Sequence, residues 1–239
     1  MLTTQQIKTR AVQEHTSGTN IAREYCQHLF LSALYRQPAS SKLYFKGGTA
    51  LRLLYRSPRF SEDLDFDSPD KNIANLEALI IAALSHIEAT GVDTELTEAK
   101  TTSGGYLATA TLKLTDFSIM NKIEISLRNG TTSGEVTTVE NDYLPTYPLV
   151  QLREDQLMTS KLNALLNRRK PRDFYDLYFM LRARLITPKQ RRLLPQVLTA
   201  LVEAKPRFEA ELKAFLPQSH WIIIKDLPKA LEREIKRFI

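Results

Sequence analysis

Two short stretches of this 239-residue chain bring together side chains suited to phosphate and metal. The first is Lys46-Gly47-Gly48-Thr49-Ala50-Leu51-Arg52; the second is Ser61-Glu62-Asp63-Leu64-Asp65-Phe66-Asp67. On a strand alternate residues point the same way, so Asp63, Asp65 and Asp67 share one face while Leu64 and Phe66 turn to a core. Two carboxylates so spaced supply the hard oxygen donors that Mg2+ or Mn2+ takes, and leave positions for phosphate oxygens. Like charges this close repel unless a cation neutralises them, which is the argument for a metal at Asp63 and Asp65. Gly47-Gly48 removes Cβ atoms where a triphosphate must approach the N–H groups of a helix start. The Thr49 hydroxyl suits a phosphate oxygen, and Lys46 and Arg52 flank the turn with positive charge. Either motif alone is bland, a turn with an N-cap or an acidic loop. In this order, with 13 positions from Thr49 to Glu62, they indicate a site for an NTP and a divalent cation.

Metal-assisted transfer asks for a third carboxylate on a neighbouring strand. Lys122-Ile123-Glu124-Ile125-Ser126 offers Glu124, with Ile123 and Ile125 facing the other way; an ordinary exposed strand glutamate is the alternative. A second charged cluster runs from Lys161 through Arg168-Arg169-Lys170-Pro171-Arg172-Asp173 to Asp176. Lys161 is a flexible point charge suited to a triphosphate, and for Lys161 and Asp176 a functional role is favoured over a helix cap and ion pairs. Arg168, Arg169, Arg172 and Asp173 stay open between RNA contacts and a helix cap with ion pairs that fastens two helices.

Elements must position these groups. Apolar periodicity predicts helices over Thr4–Glu14, Asn20–Arg36, Thr49–Tyr55 and Asn72–Ala89. Strands are expected at Leu43–Phe45, Leu64–Asp67, Asp93–Glu98, Tyr106–Leu114, Lys122–Leu127 and Glu135–Val139, with turns at Gly104-Gly105 and Asn129-Gly130. From Leu152 onward the pattern is helical: Arg153–Asn167, Arg172–Arg184, Pro188–Glu203, Arg207–Phe215 and Leu227–Phe238. Trp221–Ile224 is left open between strand and helix. The fold class is therefore α+β, with a core over residues 1–142 and a helical domain over 143–239 that carries Lys161 and Asp176. Pro145 and Pro148 stand near the join.

Composition supports an ordinary globular protein, with 43% hydrophobic and 25% charged residues. No apolar stretch approaches the ~20 residues of a membrane span. The first residues lack a signal-peptide layout, and a single cysteine, Cys26, excludes an internal disulfide. A cytoplasmic protein without a membrane partner is expected. The net charge of +6 is uneven: residues 1–149 carry 14 Lys+Arg against 17 Asp+Glu, and residues 150–239 carry 19 against 10. That +9 on the helical half suggests a polyanion as partner, unless the cations merely solubilise helices.

On the two motifs and the Lys161–Asp176 cluster, residues 40–185 resemble the AbiEii/AbiGii abortive-infection toxins and the related mycobacterial nucleotidyltransferase toxins. The resemblance implies a DNA polymerase β-type nucleotidyltransferase core, a mixed sheet flanked by helices, followed by a helical domain. It implies a toxin with a cognate antitoxin that moves a nucleoside monophosphate from an NTP to RNA, foremost the tRNA 3′ end, and blocks translation. Gly48 and Thr49 would hold the triphosphate, Asp63 and Asp65 magnesium, and Lys161 the triphosphate again, while Asp176 completes the site. Ser61, two positions before the first metal aspartate, matches a point of inhibitory phosphorylation by an antitoxin. This chain has Gly48-Thr49 where the wider superfamily usually has Gly-Ser, and residues 186–239 match none of these motifs. Two other readings compete: a non-catalytic nucleotide-binding module of the GTP type, and a nucleotidyltransferase acting on a protein or small molecule.

Overall fold

The computed structural model describes residues 1–127, 132–204 and 207–239. The chain divides into two compact units, one of Met1–Arg56 with Phe60–Arg153 and one of Ser57–Arg59 with Glu154–Ile239. The second unit thus takes in three residues from the loop that precedes the Asp-x-Asp strand.

In the first unit, α1 (Thr4–Gln13) and α2 (Gly18–Tyr35) start on side-chain caps from Thr3 and Ser17. Strand β1 (Tyr44–Lys46) runs directly into α3 (Gly47–Tyr55), and β2 (Asp63–Asp67) is followed by α4 (Ile73–Glu88). The sheet is completed by β3 (Asp93–Thr102), β4 (Gly105–Leu114), β5 (Phe117–Ser126), β6 (Gly134–Val139) and β7 (Tyr147–Leu152). The strands lie in the order β3-β4-β5-β2-β1-β7-β6. β2 is parallel to β5 and β1 to β7, and the other neighbours are antiparallel, so the sheet is mixed. Phe45, Leu64, Phe66, Ile123 and Ile125 form the buried side of its centre. Helix α4 buries Leu76, Leu79, Ile80, Ala83, Leu84 and Ile87, the stripe its 3.6-residue period predicts.

Strand β7 departs from the sequence expectation, which treated Pro145 and Pro148 as a join. Pro148 pairs in register with Thr138 of β6, whereas β1 reaches only Gln151. At Pro148 one side of the strand has no ladder to supply, so the missing N–H is tolerated. The turn expected at Asn129-Gly130 lies outside the described residues.

The second unit is helical: α5 (Glu154–Arg168), α6 (Pro171–Arg182), α7 (Pro188–Arg191), α8 (Leu194–Ala204), α9 (Phe208–Leu212), α10 (Trp221–Lys225) and α11 (Leu227–Ile235). Leu162, Leu165, Phe174, Leu177, Leu212 and Leu231 are among its buried core. The single helix expected over Pro188–Glu203 is two, and Trp221–Ile224 resolves as helix. Among the described residues, no helix is long and apolar enough to cross a membrane.

Candidate active site

The first unit sets the acidic motif beside the glycine turn. Register partners on adjacent strands face the same side, so Lys46 of β1, Asp65 of β2 and Glu124 of β5 stand in one row. Asp63 and Lys122 form the next row. Leu64 and Phe66 are buried while Asp63, Asp65 and Asp67 are half-buried, as the alternation of β2 requires.

Gly47, the first residue of α3, has φ +88°, a conformation that L side chains rarely adopt. A Cβ there would stand 2.0 Å from Asp65 Oδ2, so the carboxylate lies against the bare backbone of the helix start. The N-cap residue, Lys46, makes no side-chain capping bond, and its ammonium pairs with Asp67 at 2.6 Å. A helix N-terminus that opens on glycines presents N–H groups and a positive dipole end to an anion. Thr49, fully buried, donates its hydroxyl proton to the Asp63 carbonyl at 2.5 Å. That hydroxyl was expected on a phosphate; here it ties α3 to β2 and so aligns the two motifs.

Arg52, expected beside the nucleotide, is held elsewhere. Its guanidinium bonds Glu24 at 2.5 Å and Glu14 at 2.9 Å and lies 3.9 Å over the Phe60 ring. Tyr143 donates to the same Glu24, so Arg52 braces the core behind the site. The approach to β2 is anchored on α2, where Gln27 donates to the Ser61 carbonyl at 2.9 Å and Arg23 pairs with Glu62 at 3.2 Å.

Asp63 and Asp65 fit a hard divalent cation by donor type and by their shared face. Glu124 is bonded to Lys122, whose pKa is raised by that hydrogen bond and then by the charges of Glu124, Asp63 and Asp65. Among the described residues, no three Asp, Glu, His or Cys side chains cluster tightly enough to enclose an ion by themselves. A cation here would rest on the two aspartates and fill its shell with phosphate oxygens and water, as Mg2+ ordinarily does.

In the second unit Asp176 is 1% exposed and accepts from Arg59 through Nε at 2.7 Å and Nη2 at 3.0 Å. Lys161 Nζ donates to the same carboxylate at 2.7 Å. Burial works to raise the Asp176 pKa, but Arg59 and Lys161 outweigh it and hold it at about 2. The cluster carries one net positive charge. Arg59 is a partner that sequence reasoning missed, because a lone arginine in a loop before the acidic motif has no local signature.

Asp173 is buried and takes Arg168 through both carboxylate oxygens, at 2.6 and 2.9 Å, while also accepting from the Lys170 N–H. Arg169 pairs with Glu203 at 2.6 Å, and Arg172 lies 3.9 Å from Glu211. Of the two readings left open for this group, the ion pairs and helix cap are present in the fold.

The family described as nucleotidyl transferase AbiEii toxin, type IV TA system, matches residues 29–237. No relative was found among curated proteins. Among solved structures, JHP933 from Helicobacter pylori is similar with TM-score 0.65 and 21% identity, covering 93% of this chain and 94% of that one. MenT4, a nucleotidyltransferase toxin from Mycobacterium tuberculosis H37Rv, is similar with TM-score 0.63 and 20% identity, covering 100% and 93%. At these identities the likeness speaks to the fold, an α+β architecture shared with nucleotidyltransferases.

Proposed function

The chain belongs to the AbiEii family of nucleotidyltransferase toxins from type IV toxin–antitoxin systems, and on that premise we propose that it transfers a nucleoside monophosphate to RNA. The tRNA 3′ end is the acceptor we favour, and its modification would block translation in the cytoplasm. One observation carries the reading: Asp63 and Asp65 share a face, with Asp65 pressed against the Cβ-less start of α3.

The reaction is an in-line displacement, in which the acceptor oxygen bonds to the α-phosphorus as the bond to pyrophosphate breaks. Asp63 and Asp65 would hold Mg2+ or Mn2+, which supplies positive charge against the phosphate oxygens. Glu124, in register with Asp65, would serve as a third carboxylate only on release from its pair with Lys122. Gly47 and Gly48 let the triphosphate approach the N–H groups of α3, and Thr49 keeps that turn in place. Lys161 is assigned a polyphosphate contact, with Asp176 and Arg59 orienting its ammonium. The excess of cations after residue 150 suits an RNA backbone. Ser61 is assigned as the point where a cognate antitoxin can silence the site by phosphorylation.

Incubating the protein with total tRNA, Mg2+ and each α-labelled NTP in turn tests this. Label should appear on tRNA with the wild type and fall at least ~100-fold with Asp65→Asn. Equal labelling by that variant would sink the site assignment. Nucleotide binding without transfer by the wild type would instead indicate a sensor.

A further inference from the structure

The chain between Arg182 and Arg192 holds five Lys or Arg residues and no Asp or Glu. Three helix ends meet around it. Gln190, 4% exposed, donates to the Asp155 carbonyl at 2.8 Å and to Thr159 at 2.9 Å, which docks α7 on α5. The Arg191 guanidinium lies 4.9 Å over the Phe238 ring, past the end of α11. Arg182, in the last turn of α6, is 3.7 Å from Glu234 of α11, which also takes Arg237 at 2.9 Å.

The acids in this neighbourhood are already engaged. Glu234 serves two guanidinium groups, and Glu232 takes Lys236 at 2.7 Å. Arg184, Lys189, Arg192 and Arg233 are exposed and have no acidic partner among the described residues. Segments 182–192 and 232–237 together carry a net side-chain charge of +6. Helix dipoles attract cations, yet three helix C-termini offer only about −1.5 charges in all. Most of the excess therefore lacks an internal counter-charge, and such one-sign surfaces repel themselves until a polyanion arrives.

We propose that this rim, formed by the end of α6, the loop into α7, α7 and the end of α11, docks the phosphate backbone of the RNA substrate. The inference rests on the RNA-acceptor reading above. Arginines outnumber lysines here, and their forked donors match phosphate oxygens two at a time. A protein partner fits less well, since protein interfaces are apolar at their centre. Between 182 and 192 the exposed positions are cations apart from Ala183 and Pro188. Anchoring of the helix ends by Gln190, Glu234 and Phe238 presents the cations on ordered backbone, which lowers the entropic cost of binding a strand.

The test is the triple variant Arg184→Gln, Lys189→Gln, Arg192→Gln in the full chain. Binding of fluorescent tRNA would be measured by anisotropy over a KCl series, beside nucleotide incorporation with tRNA as the varied substrate. Three lost phosphate contacts should make the log–log salt slope shallower by about 2. KM for tRNA should rise at least 10-fold, with kcat and KM for the NTP unchanged. An unaltered slope and KM would overturn the proposal. So would wild-type binding and labelling of tRNA by a variant that has escaped its antitoxin, because the surface would then belong to the protein partner. If the wild type labels no RNA, the acceptor reading fails by itself. The rim is then judged on a 20-nucleotide single strand, where a shallower slope in the variant supports it and an unchanged one refutes it.

Discussion

Asp65 Oδ2 lies 2.0 Å from the point where a side chain on Gly47 would begin. The central carboxylate of β2 and the first residue of α3 are therefore in contact by virtue of a missing methyl group. The geometry joins the two sequence motifs in one place, since the helix start and the Asp-x-Asp strand cannot be altered independently.

Gly47→Ala should expose this coupling. The new methyl meets Asp65, and alanine must also adopt φ +88°, which costs about 1–3 kcal/mol. Displacing the carboxylate by an ångström should lower incorporation about 100-fold. Steady-state kinetics with a thermal melt would check it; wild-type activity would mean that the Asp65 position is unimportant.

Thr49→Val keeps the shape but leaves the Asp63 carbonyl without its buried donor. A loss of about 1–3 kcal/mol is expected, together with a lower kcat, and Thr49→Ser should restore both. If the valine variant keeps its stability but loses NTP affinity, and serine restores that affinity, the threonine hydroxyl contacts the nucleotide instead.

Asp176 makes the second unit sensitive to acid. Its folded pKa, about 2, lies below the ordinary 3.8, so its contribution to stability is complete above about pH 4 and is lost as pH falls toward 2. Trp221, the single tryptophan, lies in this unit and provides a fluorescence probe. Arg59→Ala should cost about 3–5 kcal/mol at neutral pH and move the acid transition upward, because half of the charge holding Asp176 ionised is gone. An unchanged acid transition in that variant would show that the pair does not govern it.

The elements that present the carboxylates are legible in the sequence. Period-two alternation sets Asp63, Asp65 and Asp67 on one face of β2, and the apolar period of α4 marks its buried side. Strand β7 escaped because Pro148 breaks the local pattern, and only its neighbours show that the absent N–H is harmless. Arg59 escaped for a related reason: its partner Asp176 lies far along the chain, and no spacing rule links them.

Sequence alone determined which side chains of a kind suited to phosphate and metal share a face, because helix and strand periods are local properties of the backbone and sort residues onto faces. Tertiary structure decided which of them are already engaged: Thr49 on a carbonyl, Arg52 on two glutamates, Arg168 on Asp173 and Lys161 on Asp176. Charged and hydrogen-bonding groups take whatever partner packing brings near, and packing depends on contacts between residues remote in the chain.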